Sequence, residues 1–186
     1  MNRGKLILVT GGARSGKSTF AERYASDSGK QVIYLATAEV KDPEMQLRVE
    51  EHRRHRPRHF RLVEEPLHPE RVMADGTTGT FYLLDCLTLL LNNHLLQRLE
   101  GEINTSPQKQ AEISTVILNY MDGLAGQMQN CPADVLVVTN EVGLGVVPEN
   151  FLGRLFRDLA GKTNQKVAAR ADEVWFAVCG IAKRFK

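Results

Sequence analysis

The sequence predicts an α/β fold, a largely parallel, doubly wound sheet with helices on both faces, and three observations predict it. Five short runs are almost continuously apolar, segments with helical spacing lie between them, and a glycine-rich turn joins the first run to the first helix. The strands are residues 6–10, 32–36, 81–85, 135–139 and 174–178, whose unbroken hydrophobicity suits strands covered on both faces. The first helix begins near Lys17 and carries Phe20, Ala21 and Tyr24. The clearest helix opens with Ser106 as N-cap and Pro107 at its first position, then sets Ile113, Val116, Ile117, Tyr120, Met121, Leu124 and Met128 at core spacing. Another is expected over 149–170, with Leu152, Leu155, Phe156 and Leu159 on one side. Cys179, Gly180 and Ile181 with Lys183 and Arg184 are expected to close the sheet. Strand–helix alternation of this kind places ligands at the carboxyl ends of the strands.

Composition mostly excludes. With 186 residues, 42% of them hydrophobic, the chain can fill one core but not two, so residues 1–186 are read as a single domain. Lys and Arg total 24 against 22 Asp and Glu, and the resulting charge of +2 is too small for a global nucleic-acid binder. Anion binding must therefore come from local placement of charge. Cys86, Cys131 and Cys179 are odd in number, far apart and beside apolar runs, which reads as reduced core thiols rather than a disulfide or zinc framework. No apolar stretch approaches the ~20 residues of a membrane span, and residues 1–5 run into a strand without a signal-peptide pattern, so a cytoplasmic protein is expected.

Gly11-Gly12-Ala13-Arg14-Ser15-Gly16-Lys17-Ser18 fits G-x-x-x-x-G-K-[ST] between a strand and a helix, the pattern of a P-loop NTPase-like fold. Glycines let the backbone form a nest of inward N–H groups, and the helix adds its positive end. Lys17 would reach the β- and γ-phosphates and Ser18 would offer a hydroxyl to Mg²⁺. A second metal partner is expected at the end of another buried strand, where Asp85 stands. Asp85 also suits the N-cap of the Leu-rich helix that follows, and both roles can coexist.

Four of the five histidines, His52, His55, His59 and His68, are interleaved with Arg48, Arg53, Arg54, Arg56, Arg58 and Arg61. If residues 43–56 are helical, Arg48, His52 and Arg56 share a face and flank an imidazole with two guanidiniums. Such cations favour the neutral, nucleophilic imidazole and stabilise charge developing at phosphorus, so covalent transfer through His52 is chemically reasonable. The alternatives are a solvated Arg-rich helix, a zinc site that the arginines and the lack of nearby cysteine oppose, and RNA binding, for which Phe60 alone is a poor stacking platform. Further on, Asn140 and Glu141 precede Gly143 and Gly145 at the end of the fourth strand; they either contact a nucleotide or second substrate, or cap their own turn.

Taken together, these residues closely resemble the bifunctional adenosylcobinamide kinase / adenosylcobinamide-phosphate guanylyltransferase family of cobalamin biosynthesis. The resemblance is carried by Thr10 to Ser18, Tyr34-Leu-Ala-Thr-Ala38, Arg48-x-x-x-His52-x-x-x-Arg56-Pro57 with Glu64-Glu65-Pro66, and Asp85-Cys-Leu-Thr88. It continues through Thr139-Asn-Glu-Val-Gly-Leu-Gly-Val-Val-Pro148, Arg157-Asp-Leu-Ala-Gly161 with Asn164-Gln165, and Ala171-Asp-Glu-Val174. It implies phosphorylation of the aminopropanol hydroxyl of adenosylcobinamide by ATP or GTP, then transfer of GMP from GTP to adenosylcobinamide phosphate. The guanylylated histidine matches His52. The GTP contacts match the P-loop, Ala36, Thr37, Ala38, the segment Arg53, Arg54, His55 and Arg56, Glu64 and Asp85. It also implies a homo-oligomer, a trimer, with no nucleic acid and no membrane span. The rivals to this reading are a P-loop kinase of another small alcohol and a nucleotide-gated RNA-binding module.

Overall fold

The computed structural model describes residues 3–39, 46, 57–102 and 105–186. Seven described strands form one sheet: β1 Leu6–Gly11, β2 Gln31–Ala36, β3 Arg61–Glu64, β4 Thr80–Asp85, β5 Asp134–Asn140, β6 Glu173–Val178 and β7 Ile181–Arg184. Their order is β3-β2-β4-β5-β1-β6-β7, and every neighbouring pair is parallel except β6 with β7. The described helices are α1 Lys17–Asp27, α2 Pro69–Met73, α3 Leu87–Leu99, α4 Pro107–Asn130 and α5 Phe151–Arg170.

The apolar runs are continuous because both faces of the sheet are covered. Successive side chains of β1 point to opposite faces, so Leu6 and Leu8 join one core cluster and Ile7 and Val9 the other, all four essentially inaccessible to solvent. The first cluster is closed by Leu87, Leu91 and Leu95 of α3, Ile117, Met121 and Leu124 of α4, and Leu159 and Val167 of α5. The second is closed by α1 through Ala21 and Ala25, with Phe20 and Tyr24 against Trp175. Each fully buried aliphatic or aromatic side chain contributes about 1.5–3 kcal/mol relative to exposure.

All five expected strands form, with ends extended by a residue. Ser106 caps α4 by accepting from the Lys109 N–H, and Asn150 caps α5 by accepting from the Gly153 N–H. The chain also closes the sheet through β7, as residues 181–184 were expected to do. Strand β3 has no counterpart in the sequence reading, because its four residues lie at the sheet edge and three of them are exposed. Cys86 and Cys131 are buried, but Cys179 is not a core thiol: it sits exposed in the β6–β7 turn with φ of 52°. No helix among the described residues is long and apolar enough to cross a membrane.

Candidate nucleotide site at the carboxyl edge of the sheet

Strand β1 ends at Gly11 and α1 begins at Lys17, so residues 12–16 must reverse the chain in one tight turn. Gly16 does this at φ 89°, a left-handed conformation that favours glycine, and a Cβ there would lie 2.9 Å from Gly180 Cα. At Gly11 a Cβ would lie 2.4 Å from the Ala177 carbonyl oxygen. The turn is thus pressed against the β6–β7 hairpin, and the Gly180 N–H donates to the Ser15 carbonyl at 2.9 Å. Ala13 and Arg14 face solvent.

Lys17 is buried, and its Nζ donates across the loop to the Gly12 carbonyl at 3.0 Å. Burial pushes its pKa below the ordinary lysine value, opposed by nearby Cys86 and Asp85. Within the same turn Ser15 Oγ is buried without a hydrogen-bond partner among the described residues, as is Thr10 Oγ1 at the end of β1. A phosphate oxygen in the nest would satisfy the orphaned Ser15 hydroxyl, and Lys17 would neutralise its charge; the residues fit a triphosphate.

Strand register carries the other expected residues to this edge. Ala36 of β2 pairs with Glu64 of β3 on one side and Asp85 of β4 on the other, while Asn140 of β5 pairs with Gly11. Thr37 is fully buried and joins β2 to β4: its N–H donates to the Asp85 carbonyl at 3.1 Å, its Oγ1 donates to the Cys86 carbonyl at 2.8 Å, and Oγ1 accepts from the Cys86 N–H at 2.9 Å. Ala38 follows it, half-buried, and Glu64 is exposed.

Asp85 does not cap the helix after it. The N-cap of α3 is Cys86, with no side-chain cap bond, and Asp85 Oδ2 instead accepts from the buried Tyr34 hydroxyl at 2.7 Å. A carboxylate oxygen of Asp85 and a hydroxyl such as that of Ser18 are oxygen donors of the kind a hard divalent ion takes. Among the described residues no group of three or more His, Cys, Asp or Glu is placed to hold a metal ion. In the turn after β5, Glu141 folds back, its carboxylate accepting from the Gly143 N–H at 2.5 Å while its own N–H donates to the Gly11 carbonyl. Asn140 donates to Thr88 Oγ1 at 2.9 Å, and Thr88 Oγ1 lies 3.2 Å from Cys86 Sγ.

His52, Arg53, Arg54, His55 and Arg56 lie outside the described residues, as does the expected column of Arg48, His52 and Arg56. Two other histidines of that basic segment have structural surroundings. His59 stacks edge-on against Phe60, and His68 Nδ1 pairs with Glu70 at 3.0 Å beside His94 and Tyr120.

Residues that sequence reasoning left without a role hold this edge together. Asn93 donates to the Thr37 carbonyl at 2.8 Å and the Pro66 carbonyl at 3.0 Å, tying the turn after β2 to the turn after β3. Its signal was a polar residue inside the Leu-rich run of α3. Asn164 accepts from Thr139 Oγ1 at 2.8 Å and donates to the Asn140 carbonyl at 3.2 Å, fixing the end of β5 from α5.

The model of the family described as "Cobinamide kinase / cobinamide phosphate guanyltransferase" matches residues 7–185. The chain belongs to this family. It is 45% identical over 182 residues to the bifunctional adenosylcobalamin biosynthesis protein CobU of Escherichia coli K12, covering 97% of this chain and 99% of that one. CobU of Salmonella typhimurium LT2 matches at the same identity and coverage. The bifunctional adenosylcobalamin biosynthesis protein CobP of Pseudomonas aeruginosa PAO1 is 41% identical over 184 residues, covering 96% of each chain. Among solved structures, the assembled ATPase EscN of the enteropathogenic E. coli type III secretion system superposes with a TM-score of 0.59 at 11% identity, covering 95% of this chain and 43% of that one. That likeness speaks for the P-loop NTPase-like fold alone. The expected family, fold and enzyme class, a kinase and guanylyltransferase of cobalamin biosynthesis, are therefore borne out.

Proposed function

We propose that this chain phosphorylates the aminopropanol hydroxyl of adenosylcobinamide with ATP or GTP, and then moves GMP from GTP to adenosylcobinamide phosphate through a guanylyl-His52 intermediate. The observation that supports it is the meeting, on one sheet edge of a chain of this family, of the phosphate nest, Lys17, Thr37 and Asp85.

In this reading the triphosphate lies on Gly11 to Ser18, with Lys17 neutralising charge and the Ser15 hydroxyl taking a phosphate oxygen. Ser18 and Asp85 would hold Mg²⁺, which when bound screens the phosphate charge. A neutral His52 attacks the α-phosphorus and pyrophosphate leaves; the phosphate of the second substrate then displaces His52 from the guanylate. Arg53, Arg54, His55 and Arg56 supply charge beside the imidazole, and Ala36, Ala38 and Glu64 line the nucleotide. For the kinase step the same nest presents the γ-phosphorus to the corrinoid hydroxyl, and catalysis is positioning and charge neutralisation. Residues 1–186 act as one domain, in the cytoplasm, as a homo-oligomer that light scattering would report as a trimer, with no nucleic acid involved.

The test is GTP labelled at the α-phosphate, Mg²⁺ and no acceptor. Acid-labile label should attach to the protein, vanish in His52→Ala and persist in His55→Ala. Loss in His55→Ala with retention in His52→Ala moves the nucleophile three residues along the chain; no adduct in the parent protein leaves a kinase alone.

A further inference from the structure

A corrinoid must bring its side-arm oxygen to the phosphate nest while its bulky macrocycle stays outside it, so some surface beside the nest has to carry the ring. Two turns flank the nest. The turn after β5 is joined to it by the Glu141 N–H on the Gly11 carbonyl, and the β6–β7 turn by the Gly180 N–H on the Ser15 carbonyl. Because β5 and β6 are the two neighbours of β1, the roots of these turns stand about 10 Å apart with the nest between them.

Both turns expose apolar side chains that nothing among the described residues covers. Leu144 is 82% exposed, Val146 95% and Val147 57% in the first; Val178 is 54% and Ile181 70% exposed in the second. Single exposed aliphatics are ordinary, but five on two turns bracketing one site form a patch of the kind that marks binding. Within residues 142–148 and 174–182 there is no Asp, Glu, Lys or Arg; the flanking charges include Glu141, Glu149 and Lys183, and the Arg154 guanidinium donates to the Pro148 carbonyl at the end of the first turn. The folding back of Glu141 onto the Gly143 N–H keeps that carboxylate on its own turn. Phe185, also exposed, sits at the other end of β7, since Arg184 pairs with Trp175 near the start of β6, and takes no part.

We infer that Leu144, Val146 and Val147 on one side and Val178 and Ile181 on the other form a split apolar rim that seats the corrin macrocycle, its methyl-studded edge against the aliphatic side chains and its side arm directed between them into the nest. An amide-fringed ring with a methyl-bearing edge suits an apolar rim, and the occupant follows from the substrate class of the family together with the rim's continuity with the nest. The inference rests on the proposed corrinoid chemistry but not on the identity of the nucleophile.

The experiment uses the full chain as parent, as Leu144→Ser/Val146→Ser and as Ile181→Ser, all changes at exposed positions that leave the core untouched. Three quantities are read: the KM for cobinamide phosphate in guanylyl transfer at saturating GTP, self-labelling by GTP alone, and molar mass by light scattering. Equilibrium dialysis of cobinamide phosphate, followed by the visible absorption of the corrin, gives affinity without turnover. The double variant should raise KM and the dissociation constant about tenfold, with Ile181→Ser acting in the same direction. Self-labelling and mass should match the parent. A rise of threefold or more supports the rim and a smaller one overturns it. A changed molar mass overturns it too, by making the rim a contact between copies of the chain, as does loss of self-labelling. A parent that binds cobinamide phosphate but never labels itself would refute the histidine intermediate while leaving the rim intact.

Discussion

Asn93→Ala isolates how the nucleotide edge is held. Asn93 is buried, and its amide is the donor to two carbonyls from different turns, Thr37 and Pro66. Alanine removes both donors and leaves no room for bulk water at Thr37, which is itself fully buried. Stranding the Thr37 carbonyl costs about 1–3 kcal/mol, and the half-buried Pro66 carbonyl, which can partly rehydrate, about 0.5–1.5 kcal/mol. The sum is about 1.5–4.5 kcal/mol, and at roughly 2–4 °C per kcal/mol for a chain of this size the melting temperature should fall by roughly 3–18 °C. Urea unfolding followed by far-UV circular dichroism measures the free energy. Asn92→Ala, at a half-buried neighbour with no such bonds, should stay within about 0.5 kcal/mol of the parent. Asn93→Asp should lose at least as much as Asn93→Ala, because an ionised carboxylate cannot donate. Since Thr37 also fixes Asp85 and Cys86, GTP-dependent self-labelling of Asn93→Ala should be weaker at a temperature where the variant is folded. A free-energy change below about 0.5 kcal/mol in Asn93→Ala would refute the bridge as a structural element.

Tyr34→Phe removes the hydroxyl that donates to Asp85, a bond to a charged acceptor, and should cost about 1.5–3 kcal/mol in urea unfolding. It should also raise the Mg²⁺ concentration that half-saturates guanylyl transfer several-fold, an effect that a purely structural role for Tyr34 would not produce. Arg3 pairs with Asp172 through two bonds of 2.8 and 2.7 Å, and with the Leu6 N–H it lowers the Asp172 pKa from 3.8 to about 2. The folded value lies below the unfolded one, so the contribution is complete above about pH 4 and disappears as pH falls toward 2. Arg3→Ala should therefore lower stability slightly at pH 7 and flatten its decline between pH 4 and 2, as followed by urea titrations at each pH; an unchanged slope would contradict the pairing.

The parts of this fold that could be read from the sequence are those where one physical requirement dominates. Burial on both faces forces continuous apolar strands, so β1, β2, β4, β5 and β6 were legible, and so were the Ser106 cap and the glycine turn into Lys17. What escaped depends on contacts between segments distant in sequence. Strand β3 exists because Arg61–Glu64 can pair with β2, and its composition carries no burial signal. Asp85 has the residue type of a helix cap, yet Tyr34, remote in sequence, takes its carboxylate and Cys86 becomes the cap residue. Cys179 reads as apolar by its neighbours Val178 and Ile181, but all three are exposed in a turn that serves the phosphate loop through Gly180.

The strand order also constrains how one nest can serve two reactions. From β2, which leads into the connection carrying His52, to β1, which leads into the nest, the sheet crosses β4 and β5, a separation of about 14 Å. The proposed apolar rim lies at the nest's immediate neighbours, on β5 and β6. On the proposed reading, a macrocycle seated on the β5 and β6 turns leaves open the side of the nest toward β4, where Asp85 stands. In the proposed two-step transfer the acceptor phosphate would meet guanylylated His52 with the ring still on the rim, so substitutions on the β2 side should alter adduct formation while those on the rim should alter only the use of the corrinoid. In the kinase step no histidine need enter at all, so His52→Ala should retain phosphorylation of cobinamide with an unchanged KM for the corrinoid. Loss of both activities in that variant would mean that the two approaches share one path, and the division of labour drawn from the strand order would fail.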